Sequence, residues 1–136
     1  MKKILVDMSA TLIHHGHIRL LKKANKLGSV TVALTTDEEI QKYKGYIPEL
    51  NFAERKEILE AIKYVDNVIA SPWELNLDFF KSTGADILIH GDDNKNDIPQ
   101  RYLKIYKRTK SISSSLIRER VMQVILAKES NNKKSI

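Results

Sequence analysis

Residues 14–17 read His14-His15-Gly16-His17 and carry more chemical information than any other stretch of the chain. Two imidazoles three positions apart can face the same way from the first turn of a helix. The glycine between them lets a phosphate approach the backbone. A helix N-terminus adds unpaired N–H groups and the positive end of a dipole, which together make an anion site. The plain alternative is a pair of surface histidines in a loop. Context weighs against it, because an apolar run from Lys2 to Asp7 precedes the four residues and an amphipathic helix follows at once.

A second candidate lies at Arg108-Thr109-Lys110-Ser111-Ile112-Ser113-Ser114-Ser115. Three serines opening a helix offer an N-cap together with hydroxyl and backbone donors. The arginine just upstream supplies a planar fork that suits phosphate. Taken alone, the segment is equally a well-capped helix. Lys42 and Lys44 fall in a polar loop after the second strand, where alternation puts both on one side of an extended segment that can close over a triphosphate. Two solvated lysines would read the same way. Arg55 sits early in the next helix, where an exposed face is the competing reading. These residues supply cations and oriented donors, with no evident nucleophile and no base-activated serine. Such an inventory suits phosphoryl or nucleotidyl transfer, where positioning and charge neutralisation do most of the catalysis. Neither a P-loop nor a Gly-x-Gly-x-x-Gly segment is present.

The elements that must position these residues alternate along the chain. Strands are expected at Lys2–Asp7, Val30–Leu34, Val65–Ala70, Ala85–His90 and Leu103–Tyr106. Helices are expected from Ile18 to a C′ glycine at Gly28, from Phe52 to Tyr64, from Leu75 to Ser82 and from Ser113 to Lys128. The last helix shows Leu116, Val121, Val124 and Ile125 as its apolar stripe. Strands alternating with helices imply an α/β fold, a single doubly wound, Rossmann-like parallel sheet covered on both faces. Ligands bind beyond the carboxyl ends of such strands, where strand order reverses. The histidines, Thr35-Thr36-Asp37, Gly91-Asp92-Asp93 and Arg108 all follow strand ends and should crowd one rim.

The bulk numbers bound the rest. At 136 residues the chain suits one domain, residues 1–128, with a polar basic tail over residues 129–136 that holds Lys133 and Lys134. Its formal net charge of +6 suits small polyanions, while basic clusters without aromatic interleaving argue against nucleic acid. The absence of cysteine excludes disulfides, zinc–thiolate sites and thiol nucleophiles. No apolar run is long enough to cross a bilayer and no signal-peptide pattern opens the chain, so a cytoplasmic protein without membrane contact is expected.

His14-x-Gly16-His17 resembles the HxGH signature of the nucleotidyltransferases. Arg108-Thr109-x-x-Ile112-Ser113-Ser114-Ser115 is similar to the RTxGIST(S/T) signature of their cytidylyltransferase branch. The likeness runs from about Lys2 to Arg120 and lies nearest to the glycerol-3-phosphate members. It implies that CTP and a phosphorylated polyol, glycerol 3-phosphate first, give a CDP-polyol and pyrophosphate, with magnesium arriving on the CTP and no metal site of the protein's own. It implies catalytic roles for His14, His17, Lys42 and Arg108. The nucleotide would be held by Ser9, Ala10, His14, Gly16, His17, Arg55, Asp92, Arg108, Ile112, Ser113, Ser114 and Ser115. The acceptor would meet Thr11, Asp37, Lys42, Lys44, Asp66 and Trp73. A homodimer is also implied.

Three departures concern the acceptor and the second signature. Met8-Ser9-Ala10-Thr11 stands where the family commonly has Gly-Thr-Phe-Asp, Asn94 where a tryptophan is common, and Ser111 where the second signature has glycine. Other phosphomonoesters, a phosphonate, an ATP-using adenylyl transfer and a non-catalytic nucleotide- or nucleic-acid-binding module therefore stand as alternatives.

Overall fold

The first strand, β1 (Lys2–Met8), is buried from Ile4 onward. Its side chains alternate between two covered faces, as a central parallel strand requires. Ile4, Val6 and Met8 join Val30, Val32, Leu34, Leu21, Ala24 and Leu59 in one core. Leu5 points the other way, into a second core with Ala33, Leu75, Phe80, Leu88 and Ile98. The remaining strands are β2 (Gly28–Thr35), β3 (Asn67–Ser71), β4 (Ile87–Gly91) and β5 (Leu103–Tyr106). In this computed structural model, which describes residues 1–134, all five pair in parallel in the order β3-β2-β1-β4-β5. Chain order reverses between β1 and β4, which places the switch point beside the end of β1. The expected doubly wound α/β sheet is the observed fold.

Among the described residues, α1 (His15–Asn25), α2 (Asp37–Lys44), α3 (Phe52–Glu60) and α4 (Leu77–Ser82) lie between strands, and α5 (Ser114–Lys134) follows β5. Two differ from the sequence reading in ways that matter. Residues 37–44 form a helix rather than an extended loop, because Thr36 caps it by accepting from Glu39 N and three acids occupy its first turn. Lys42 and Lys44 therefore do not share one side of a strand. The final helix continues through Lys134, so residues 129–134 are helical rather than a separate tail, and 135–136 lie outside the described residues. Its supposed core stripe is largely outside: Val121, Val124 and Ile125 are 51%, 53% and 45% exposed. Only the first turns of α5 meet the body, through Ser114 with Leu12 and Arg118 with Thr11, Tyr46 and Glu49, and residues 119–133 are exposed. No described helix is long and apolar enough to cross a membrane.

Gly28 does not end α1. The cap is Lys26, in ordinary right-handed conformation, and Gly28 is the first residue of β2, paired with Lys2. A Cβ there would stand 2.0 Å from the Lys2 carbonyl oxygen. The glycine thus serves close approach of two strands rather than a left-handed turn. Gly28→Ala should lower stability by about 1–3 kcal/mol, the range for a forced backbone shift. Parallel urea titrations of Gly28→Ala and wild type measure the loss. Equal midpoints for Gly28→Ala and wild type would refute the close-approach argument.

Candidate active site at the carboxyl ends of the strands

The turn after β1 passes through Ala10, held at φ 44, and delivers His14 as the N-cap of α1. The His14 ring folds back so that its Nδ1 accepts from Gly16 N at 3.1 Å. In return His14 N donates to His17 Nδ1 at 3.1 Å. Both histidines thus play the parts that Ser/Thr and Glu play in an ordinary capping box. A chemical consequence follows: each Nδ1 lone pair is occupied by a backbone N–H, so the ring proton of each imidazole must sit on Nε2. Protonating either Nδ1 would break its hydrogen bond. Burial pushes both pKa values down, the His15 ring lowers that of His14 further and the His14 ring that of His17, and His17 is depressed to about 3. At neutral pH the pair is two uncharged Nε2–H donors with centroids 3.9 Å apart.

This alters the expected anion site. The amides of Gly16 and His17 are satisfied within the cap, the second by His14 O at 3.1 Å, so the imidazoles rather than the free amides offer the donors. Gly16 has its own reason. A Cβ there would lie 2.9 Å from the His14 ring and 3.2 Å from Ile112, so the glycine makes room for the cap as well as for a ligand.

Opposite, Ser113 caps α5 by accepting from Leu116 N at 3.1 Å. Ser114 is tied to the first loop, accepting from Leu12 N at 3.3 Å and donating to Leu12 O at 3.1 Å. Arg118 reinforces the junction, donating to Thr11 Oγ1 at 2.8 Å, Tyr46 Oη at 3.2 Å and Glu49 Oε1 at 2.8 Å. Two helix N-termini are thereby fixed around one cavity of about 500 Å³. Position 111, where the second signature has glycine, lies in the left-handed region at φ 64, which glycine enters without steric cost.

The cavity gathers most of the residues singled out from sequence: Ser9, Ala10, His14, Gly16, His17, Lys44, Trp73, Arg108, Ile112, Ser113 and Ser114 line it. Asp92 stands just behind, accepting from Arg108 Nε at 2.9 Å. Lys44 Nζ lies 5.4 Å from the Trp73 ring centroid, and Tyr43 stacks on that tryptophan. Lys42 points instead toward Tyr43, outside the lining, and Ser115 is exposed outside it.

Four other expectations need correction. Asp66 accepts from Val30 N at 2.8 Å, at the opposite end of the sheet, because it precedes β3 rather than following a strand. It cannot meet an acceptor in this cavity. Arg55 is not on an exposed face and does not face a nucleotide. Fully buried, it donates to Ser9 O at 2.6 Å, Thr35 O at 2.9 Å, Leu50 O at 3.0 Å and Asp37 Oδ1 at 2.7 Å. Asp37 is thereby engaged, its other oxygen accepting from Phe52 N at 3.0 Å. Thr11 is buried beneath Arg118 and outside the lining.

Asp93, expected at the rim, lines the same cavity, and so do Asp7, His90 and Asn96, which sequence reasoning missed. The signal was available: a carboxylate one residue from the end of an apolar strand, and a histidine at the end of another.

Removing the Arg55 head group would orphan three carbonyls and one carboxylate. Arg55→Ala should destabilise the fold by roughly 3 kcal/mol or more, seen as a lowered urea midpoint. Retained stability would mean that the guanidinium does not hold the strand ends. The buried His17 sets a pH limb. Its pKa rises from about 3 folded to the ordinary 6.5 unfolded, so the unfolded chain binds more protons and stability falls as pH drops from 6.5 toward 3. His17→Asn, whose side-chain oxygen can still accept from His14 N, should flatten that limb in thermal melts. An unchanged slope would contradict the neutral tautomer.

The comparisons with known proteins agree with this geometry. Residues 9–132 match the Cytidylyltransferase-like family model. The chain is 36% identical to glycerol-3-phosphate cytidylyltransferase of Bacillus subtilis (strain 168), over 89% of this chain and 98% of that protein. It is 34% identical to FAD synthase of Pyrococcus horikoshii, over 90% of this chain and 93% of the relative. Ethanolamine-phosphate cytidylyltransferase of Mus musculus is 30% identical over 98% of this chain and 36% of the mouse protein. Among solved structures, the lipopolysaccharide core biosynthesis protein from Thermoplasma volcanium GSS1 superposes with a TM-score of 0.63 over 82% of this chain and 99% of its own, at 24% identity, a likeness of fold. With two capped helix starts and an imidazole pair converging where the family model matches, the chain belongs to the cytidylyltransferase-like family of nucleotidyltransferases.

Proposed function

We propose that the protein transfers the cytidylyl group of CTP to a phosphorylated polyol, with glycerol 3-phosphate as the first candidate, and releases pyrophosphate. The observation that carries this reading is the pair of uncharged Nε2–H donors on His14 and His17, fixed in tautomer by their own cap and facing a cavity between two helix N-termini. An oxygen of the acceptor's phosphate attacks the α-phosphorus in line. One P–O bond forms as the bond to the α,β-bridging oxygen breaks, and pyrophosphate departs with that electron pair. Negative charge grows on the oxygens about the α-phosphorus and on the leaving group. Donors already oriented at those oxygens stabilise the transition state without reorganising. As neutral imidazoles they offer those oxygens one fixed N–H donor each, on Nε2. Arg108, 64% exposed at its side chain, and Lys44 beside Trp73 supply mobile charge for the phosphates and the acceptor.

Magnesium belongs to this proposal as a companion of the triphosphate. Asp92 and Asp93 are engaged by Arg108 and His90, and among the described residues no three His, Asp or Glu side chains converge to hold an ion. The protein's donor set does not fit a resident metal, so no step is routed through one.

A second reading, adenylyl transfer from ATP to a flavin acceptor, is favoured by the equal likeness to FAD synthase. Phosphorus NMR with CTP or ATP, magnesium and candidate acceptors separates the two. A CDP-glycerol diester signal with pyrophosphate is expected, and an ADP-linked product with FMN would replace the first reading by the second. His14→Ala and His17→Ala should each lower turnover by roughly 100-fold or more. Lys44→Ala should cost more activity than Lys42→Ala. Near-normal rates in the histidine variants would remove the imidazoles from the chemistry. The homodimer implied by the family resemblance belongs to the same proposal, and sedimentation of the whole chain tests it.

A further inference from the structure

One charged cluster at the switch point has no part in the reaction as described. Asp7 near the end of β1 and His90 near the end of β4 stand on adjacent paired strands, and Asp7 is 8% exposed. One Asp7 oxygen takes a hydrogen bond from His90 Nδ1, and the other accepts from Asn96 Nδ2 at 2.8 Å. Asn96 is itself immobilised, donating also to Asn94 Oδ1 at 2.9 Å and accepting from Leu75 N at 2.7 Å. The His90 ring is therefore fixed in orientation, with Nε2 turned toward Asp93, and both residues line the cavity that His14 and His17 also line.

What Nε2 meets there is a loose partner. Asp93 Oδ1 lies 3.4 Å away, on a side chain 51% exposed. The same carboxylate stands 3.6 Å from Arg108 Nη1, and Asp92 takes Arg108 Nε. Burial works against a charge on His90, yet the hydrogen bonds and charges of Asp7 and Asp93 outweigh it and raise its pKa to about 9. The ring is an imidazolium at neutral pH, whereas His14 and His17 are neutral. Two carboxylates on one surface turn thus cover the outward faces of two cavity cations.

We propose that His90 is a phosphate-binding residue, a third imidazole donor beside His14 and His17, and that Asp93 is the anion a polyphosphate displaces from it. A phosphate oxygen brings more charge than a carboxylate and can approach closer than 3.4 Å. Asp93 loses little, since a half-exposed side chain rehydrates as it swings out. Asp7 and Asn96 stay in place and hold the ring. The assignment rests on the polyanion site of the proposed function but not on turnover.

Calorimetric titration with inorganic tripolyphosphate tests it on the intact chain. His90→Gln should weaken binding at least tenfold, roughly the worth of one charge-assisted hydrogen bond. Asp93→Asn, which removes the competing anion at an exposed position, should tighten binding several-fold. If His90→Gln does not fold, the Asp7→Asn/His90→Gln pair, which leaves no lone buried charge, replaces it with the same expected loss. Unchanged binding in a folded His90 variant, or unchanged or weaker binding in Asp93→Asn, would overturn the proposal. So would failure of the wild type to bind tripolyphosphate. A wild type that binds it and releases no pyrophosphate from CTP or ATP would defeat the nucleotidyl-transfer reading alone.

Discussion

The cavity exists because the strand ends around it are pinned from below by one guanidinium. Carbonyls at the carboxyl end of a parallel sheet have no further strand to pair with, and those nearest a ligand site cannot all be left to water. Arg55 reaches from α3 and satisfies Ser9 O after β1, Thr35 O at the end of β2 and Leu50 O before α3, with Asp37 balancing its charge. Arginine suits this position because its donors form a rigid planar fork and its charge persists when buried. Burial of that charge is costly in isolation and is offset here by three carbonyls and a carboxylate. With β1 and β2 fixed at their ends, the turn through Ala10 starts from a defined point and His14 arrives where it can cap α1.

A second set of bonds brings the end of the chain back to its beginning. Ser114 with Leu12, and Arg118 with Thr11, Tyr46 and Glu49, join the start of α5 to the loop before α1 and to the segment before α3. The consequence is electrostatic. Two positive helix ends face one cavity, and both are locked by side chains rather than left to fray. Thr11, at the position where related sequences place an acid, accepts from Arg118, while Glu49 provides that arginine's counter-charge.

Histidines are used in two distinct ways around this cavity. His14 and His17 are held neutral by burial and by backbone donors on Nδ1, which fixes their remaining protons on Nε2. His90 is held charged because its Nδ1 faces a carboxylate instead of an amide. The same side chain becomes a neutral donor or a cation according to what occupies one nitrogen.

The alternating pattern of strands and helices was legible in the sequence because burial on both faces imposes continuous apolar runs, and helical spacing separates them. The rim was legible too, since in a parallel sheet whatever follows a strand lies at its carboxyl end. By that rule Asp66, which precedes β3, belonged at the far edge from the start. Pattern alone could not distinguish a helix from a loop at residues 37–44, where charge dominates and only the Thr36 cap reveals the turn. Nor could it show that α5 leaves the body, since an apolar stripe looks the same whether or not a surface lies opposite it. The residue types of the anion site were thus set by sequence: two imidazoles, a glycine, an arginine and serines at helical starts. Tertiary structure decided which cations face the cavity and which hold it together. Arg55 and Arg108 are the same residue to a sequence, and only the three-dimensional placement of orphaned carbonyls makes one a buried brace and leaves the other exposed at the cavity, paired with surface carboxylates.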